Sequence, residues 1–168
     1  GIEPARVLDH MYEILVFPLN NPEVVPSLIP ILVGLVVLEI YFGRHVYEEL
    51  GWNTALGNAT MLVTTALTLI HDLKLWKTPY SNESYVAYTI IIVGLIIVIL
   101  NFYHIWPKEI AFGVSSALIM YTLAYLTIAL TYGDIFVTEE TIVAAFLFLA
   151  GTTIVFKTIQ HFETSVID

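Results

Sequence analysis

The chain has 168 residues, of which 58% are hydrophobic and 12% are charged, and its net charge is −9. Soluble domains carry about 25% charged residues, so this composition excludes a soluble or disordered protein and indicates an integral membrane protein. The chain contains no cysteine and its six basic residues form no cluster, which excludes disulfides, cysteine nucleophiles and a nucleic-acid partner.

Residues 1–24 are predicted to form an interfacial segment with an amphipathic helix over Glu3–Phe17. Its apolar positions are Val7, Leu8, Met11, Tyr12, Ile14 and Leu15. Because this segment is too short and too charged to cross a bilayer, we expect it to lie on the membrane surface or on the protein, and to be ended by Pro18 and by the Asn20–Asn21–Pro22 sequence. We expect no signal peptide, since no basic segment precedes a short apolar stretch.

Residues 25–168 contain five mostly apolar windows close to the roughly 20 residues that a membrane-spanning helix needs. The windows are Ser27–Tyr47, Asn53–Leu73, Glu83–Tyr103, Pro107–Tyr132 and Glu139–Phe162. Gly51 is expected to stop the first, while Pro107 and Gly133 delimit the fourth. We therefore predict an all-α fold, a bundle of five transmembrane helices preceded by the amphipathic helix.

The orientation of this multi-pass chain is weakly encoded. We define side A as the side that holds the N-terminus and side B as the opposite side. Basic residues divide evenly between the two sides, so the positive-inside rule gives no direction. The excess of carboxylates on side A favours an N-terminus outside the cell.

The second window carries a polar stripe along one helical face. The stripe comprises Asn53, Thr54, Gly57, Thr60, Met61, Thr64, Thr68, His71 and Asp72. One interpretation is the wall of a path for water or ions, with hydroxyls as binding stations. The other is a packing seam, the commoner use of small and hydroxyl-bearing residues between membrane helices.

Glu39 lies well inside the first window, where a charge costs on the order of 3 kcal/mol, so it is not expected to face lipid. It is interpreted either as a proton or cation site, or as a hydrogen-bonded residue that joins the first helix to the stripe of the second. Both interpretations stay open at this stage.

Two further polar residues lie in the apolar windows. Asn101 interrupts the third window and is expected to bond to a neighbouring helix. Tyr121 lies near the middle of the fourth, where its hydroxyl needs a partner, which we expect to be Glu39 or a threonine of the second helix.

Side B collects several histidines and glutamates. The i, i+4 spacing of Arg44 with Glu48 and of His45 with Glu49 predicts two ion pairs at a helix end. Alternatively, a metal ion is held by His45, Glu49, His104 and His161. No compact ligand motif joins these residues, and no other cofactor is predicted.

The leading functional hypothesis is a permeation protein, a channel or transporter for an ion, proton or small polar solute, rather than an enzyme. Its path would be lined by Glu39 and by Thr60, Thr64 and Thr68 between Asn53 on side B and His71 and Asp72 on side A. Because five short-looped helices enclose little volume, we expect a homo-oligomer or an assembly with other membrane subunits. The alternatives are an accessory subunit of a larger membrane complex and a membrane metalloenzyme. The sequence specifies neither the transported species, nor the gating, nor the number of subunits.

Overall fold

The computed structural model describes residues 1–167, with side chains to residue 164, and within them every regular element is helical. The helices are α1 (Pro4–Asn20), α2 (Val25–Arg44), α3 (Trp52–Asp72), α4 (Asn82–Phe102), α5 (Lys108–Val114), α6 (Ala117–Tyr132) and α7 (Glu139–Ile167). Two 3₁₀ turns, Pro22–Val24 and Leu75–Lys77, precede α2 and follow α3. The predicted all-α class is confirmed.

Four helical segments are long and apolar enough to cross a membrane, which supports a multi-pass membrane protein. They are Pro22–Arg44, Asn82–Phe102, Lys108–Tyr132 and Glu139–Thr164. The remaining predicted span also forms a helix, α3, which has 21 residues, as many as α4. Its threonines and asparagines keep its hydropathy below that of the other four.

The bundle is built around α6, the most buried of the four apolar segments. One pair of helices, α2 and α7, packs against it, and so does a second pair, α3 and α4. This arrangement leaves two lateral grooves over α6. The groove between α2 and α3 has polar side chains, whereas the groove between α4 and α7 is mostly apolar.

Helix α1 packs against α6 and α7. Its buried face consists of Val7, Ile14 and Phe17. Leu8 and Tyr12 are exposed, although both belong to the predicted apolar face. The contact with α6 and α7 therefore accounts for part of the apolar pattern.

Of the two predicted ends of α1, Pro18 is wrong because it lies inside the helix, whereas the helix does end at Asn20, where the Asn20–Pro22 sequence begins. Proline has no amide hydrogen, so Pro18 leaves the Ile14 carbonyl without its partner within the helix. The hydroxyl of Tyr125 on α6 donates a hydrogen bond to this carbonyl at 2.7 Å. The neighbouring helix thus replaces the missing bond and makes the proline tolerable.

Helix α2 ends at Arg44, well before Gly51, so the predicted helical ion pairs of Arg44 and His45 are also wrong. His45 leaves the helical region with φ −113° and ψ 61°. Glu48 instead accepts a hydrogen bond from the Tyr41 hydroxyl at 2.6 Å. Glu49 pairs with Lys108 at 3.2 Å, across to the start of α5.

Candidate functional site

The predicted continuous helix over Pro107–Tyr132 is broken. α5 ends at Val114, and the extended backbone of Ser116 (φ −62°, ψ 155°) separates it from α6. Ser116 caps α6, because its Oγ accepts a hydrogen bond from the Ile119 amide at 3.3 Å. Hydropathy does not register the break, since the two serines Ser115 and Ser116 lie between apolar residues.

A buried polar network holds the break in place. Asn58 on α3 donates a hydrogen bond to the Ser115 carbonyl at 2.9 Å. Asn101 on α4 donates to Ser115 Oγ at 2.9 Å and accepts from Trp106 Nε1 at 2.8 Å. Asn101 thus bonds to the break between α5 and α6 and to the loop after α4, rather than to a residue within a neighbouring helix. These contacts satisfy the polar groups that the interruption would leave unpaired.

Glu39 lies at the free start of α6. It is 5% exposed, and Gln160 Nε2 on α7 donates hydrogen bonds to both its Oε2 and its backbone oxygen at 2.9 Å. The backbone amide of Leu118, the second residue of α6, also interacts with the carboxyl group. A carboxylate at this end of a helix is stabilised by the helix dipole.

Gln160 connects Glu39 to a cation. Its Oε1 accepts a hydrogen bond from Lys157 Nζ at 3.3 Å, while its Nε2 faces Glu39. A single amide thus orients a carboxyl group and contacts an ammonium group on the same face of α7.

A cleft of about 340 Å³, which we name the Glu39 cleft, surrounds these groups. Its lining comprises Glu39, Phe42, His45, Val46, Glu48, Leu50, Phe112, Ser116, Ala117, Lys157 and Gln160. His45 and Glu48 follow the end of α2 and are exposed, so the cleft reaches side B. It offers a small polar solute or ion one buried carboxyl group beneath exposed polar residues.

A second cavity, which we name the threonine groove, has a volume of about 330 Å³. Its lining comprises Ser27, Pro30, Ile31, Met61, Thr64, Thr65, Thr68, Leu69, Asp72, Tyr121, Ile128 and Tyr132. Asp72 and Tyr132 are the last residues of α3 and α6. The groove therefore runs from side A towards the middle of the bundle.

The stripe predicted on α3 lies on the exposed side of the helix, and two of its threonines, Thr64 and Thr68, border the threonine groove. Thr60, Thr64 and Thr68 are exposed, and their hydroxyls donate to backbone carbonyls of α3 at 2.8–2.9 Å. Asn53 and His71, at the two ends of the stripe, are exposed as well. The stripe is thus no packing seam within the chain, and the hydroxyl donors of these three threonines are satisfied by their own helix.

The structure separates Glu39 from this stripe. The partners of Glu39 lie on α6 and α7, so the interpretation that it joins the first helix to the stripe is wrong. Tyr121 lines the threonine groove rather than the Glu39 cleft. Among the described residues, its hydroxyl bonds neither to Glu39 nor to a threonine of α3, where four threonine hydroxyls donate within their own helix.

The four predicted metal ligands are not brought together. His104 stacks on Trp52 with ring centroids 4.1 Å apart, and Glu49 is paired with Lys108. His45 lies against Tyr41, and His161 lies on α7. Within residues 1–164, no three His, Asp or Glu side chains are close enough to share a metal ion.

The sequence pattern does not predict the roles of three residues at the site. Gln160 holds Glu39, Ser116 caps α6 and Asn58 binds the break. Asn58 carried a usable signal, since it is an amide on the face of α3 that otherwise consists of alanine, leucine and valine. Nothing local in the sequence pairs Gln160 with Glu39, 121 positions away.

Comparisons with known protein families, curated proteins and solved structures gave no match to this chain. Function therefore rests on the geometry of the two cavities and the buried Glu39.

Proposed function

We propose that the chain is a membrane permeation protein that passes protons or small monovalent cations, with Glu39 as the exchange site. The observation that carries this proposal is a buried carboxyl group within an apolar helix, placed at the start of α6 and at the base of a polar cleft. Ionisable groups in such segments are costly and are typically retained for ion or proton transfer.

The surroundings of Glu39 suit a group that changes its charge. In the ionised state the carboxylate accepts hydrogen bonds from Gln160 and meets the Leu118 amide. When the carboxyl group is protonated or binds a cation, its charge is neutralised. Its burial among apolar residues of α2 then costs less free energy. Broken helices whose inner ends meet a charged group are a recurring feature of transporters.

The path runs along the face shared by α2 and α6. The threonine groove supplies its side A half, where Asp72 and the hydroxyls of Thr64 and Thr68 attract cations. The Glu39 cleft supplies the side B half. Acidic residues thus lie at both ends of the path.

Helix α3 completes the bundle as a fifth span in this proposal. Its 21 residues extend about 30 Å, the thickness of the hydrocarbon layer. The part of its stripe that lies outside the threonine groove, which includes Thr60, is covered by a second copy of the chain or by another membrane subunit. The same outward face favours an accessory subunit of a membrane complex as the second candidate function.

Flux into proteoliposomes tests the proposal. Purified chain is reconstituted with a pH-sensitive dye inside, and a K⁺ or Na⁺ gradient or a proton gradient is applied. We expect the wild type to dissipate one of these gradients, Glu39→Gln to lose that flux, and Glu109→Gln, an exposed carboxylate of α5, to retain it. Equal flux through Glu39→Gln and wild type would remove Glu39 from the mechanism.

Thiol labelling separates the two candidate functions, because the chain has no cysteine of its own. In a permeation protein, Thr64→Cys reacts with a charged thiol reagent, and the fully buried Leu62→Cys does not. Protection of Thr64→Cys, together with absence of flux in the wild type, would favour the accessory subunit.

A further inference from the structure

The two cavities follow one another on a single face of α6. Ala117 lines the Glu39 cleft and Tyr121 lines the threonine groove. These residues are four positions apart, which is about 6 Å along a helix. The barrier between the side A and side B halves is therefore only about one helical turn thick.

The ring of Tyr121 occupies this turn. A Cβ atom added at Gly34 of α2 would lie 2.6 Å from Tyr121 Cε1 and 3.3 Å from Cζ. The ring therefore rests directly on the backbone of α2, in a space that exists because residue 34 is glycine. Even alanine at this position would force the ring to move.

We infer that Tyr121, seated on Gly34, is the barrier that separates the threonine groove from the Glu39 cleft. The inference rests on the proposed function, because it assigns a role within the same path. With the ring in place, each cavity ends at the α2–α6 contact. Removal of the ring joins the two cavities into one passage from Asp72 to Glu39.

The barrier also defines what passes. While the phenol ring of Tyr121 rests on Gly34, it closes the contact between α2 and α6. A solute therefore moves from one cavity to the other only when the ring swings away from Gly34. The width of the opening between the two cavities then depends on the position of the Tyr121 side chain alone. A proton or a small cation, the solutes of the proposed function, needs the smallest such movement.

Side-specific thiol labelling tests the barrier without any measurement of flux. Ser116→Cys places a reporter in the Glu39 cleft and Thr64→Cys places one in the threonine groove. A membrane-impermeant charged methanethiosulfonate reagent is added to right-side-out or inverted vesicles. We expect the cleft reporter to react from side B alone and the groove reporter from side A alone.

Combination with Tyr121→Ala is expected to make both reporters reactive from both sides. Tyr121→Phe keeps the ring and should retain one-sided labelling. Tyr132→Ala is the matched control, because it removes a second tyrosine of the groove, at the side A end of α6. This variant should also retain one-sided labelling. If Tyr121→Ala does not fold, Tyr121→Leu is used, since it preserves apolar packing but not the ring.

Labelling that stays one-sided after loss of the ring would overturn the inference, as would two-sided labelling of the reporters in the parent chain. The result is distinguishable from failure of the proposed function. If flux is insensitive to Glu39→Gln while Tyr121→Ala joins the cavities, the role of Glu39 is wrong and the barrier stands. If Glu39→Gln abolishes flux and labelling stays one-sided, the barrier lies elsewhere.

Discussion

At the scale of single residues, the site depends on amides rather than on further charges. Gln160 bonds to two oxygens of Glu39, and Asn101 bonds to both Ser115 and Trp106. An amide donates and accepts at once, so it can satisfy buried polar groups without adding a charge to an apolar region. This property explains why a broken helix and a buried carboxyl group coexist in one bundle.

Gln160→Leu is expected to impair flux through the Glu39 cleft. The substitution leaves a buried carboxyl group and a backbone oxygen without their donor, at a cost of about 1–3 kcal/mol in stability. Thr158→Val is the matched control, because the Thr158 hydroxyl only bonds to the Ile154 carbonyl of its own helix. Proteoliposome flux and denaturation in detergent measure the two effects, and equal behaviour of both variants would contradict the role of Gln160.

Asn101→Leu is expected to destabilise the fold by about 1–3 kcal/mol, because it leaves buried donors and acceptors unpaired. Asn101 is 1% exposed, and its loss strands the Trp106 indole and the Ser115 hydroxyl. Asn53→Leu, at an exposed amide, should change the free energy of unfolding little. Unfolding in SDS, followed by tryptophan fluorescence, compares the variants, and a neutral Asn101→Leu would show that the network is dispensable.

At the scale of helices, a side chain of α6 supplies a hydrogen bond that α1 lacks. Pro18 removes an amide from α1, and Tyr125 of α6 supplies a hydroxyl to the freed carbonyl of Ile14. The Tyr125 ring also stacks on Phe148 of α7, with centroids 5.5 Å apart. A single tyrosine therefore ties α1 to both helices beneath it.

Tyr125→Phe is expected to cost about 1 kcal/mol and to loosen α1, because it deletes this hydrogen bond and little else. Amide hydrogen exchange over residues 4–20 and the free energy of unfolding measure the effect. Tyr12→Phe, at an exposed tyrosine of the same helix, is the control. Pro18→Ala restores an amide that can bond to the Ile14 carbonyl, so the double variant should recover part of the loss. Absence of recovery would contradict this account of the proline.

Helix positions could be predicted from the sequence, but several of their ends and contacts could not. The windows of α4 and α7 follow from a long, mostly apolar composition, which depends on no partner. The break before α6 depends on amides of α3 and α4 that lie far along the chain. Glu39 was identified as a residue that must avoid lipid, whereas its partner Gln160 could not be, since no local pattern encodes an interhelical contact.

At the scale of the whole molecule, the start of α3 lies beside the end of α4. Trp52 stacks on His104, and Glu49 pairs with Lys108. At the other end, the Ser84 hydroxyl near the start of α4 donates to the carbonyl of Leu75, just after α3, so the two ends of α3 lie at opposite ends of α4. In the proposed five-span arrangement, α3 therefore crosses wherever α4 crosses, despite its lower hydropathy. We expect its packing against α4 and α6 to offset the cost of inserting its polar residues.

Three single cysteines decide between five spans and four. Glu49→Cys precedes α3, Thr78→Cys lies between α3 and α4, and Tyr103→Cys follows α4, all at exposed positions. If α3 crosses, an impermeant thiol reagent labels Glu49→Cys and Tyr103→Cys from one side and Thr78→Cys from the other. If it does not cross, Glu49→Cys shares the side of Thr78→Cys instead. Because Tyr103→Cys reports the crossing of α4 in either case, it provides the internal control. Labelling of Glu49→Cys together with Thr78→Cys would remove the threonine groove from any path across the membrane.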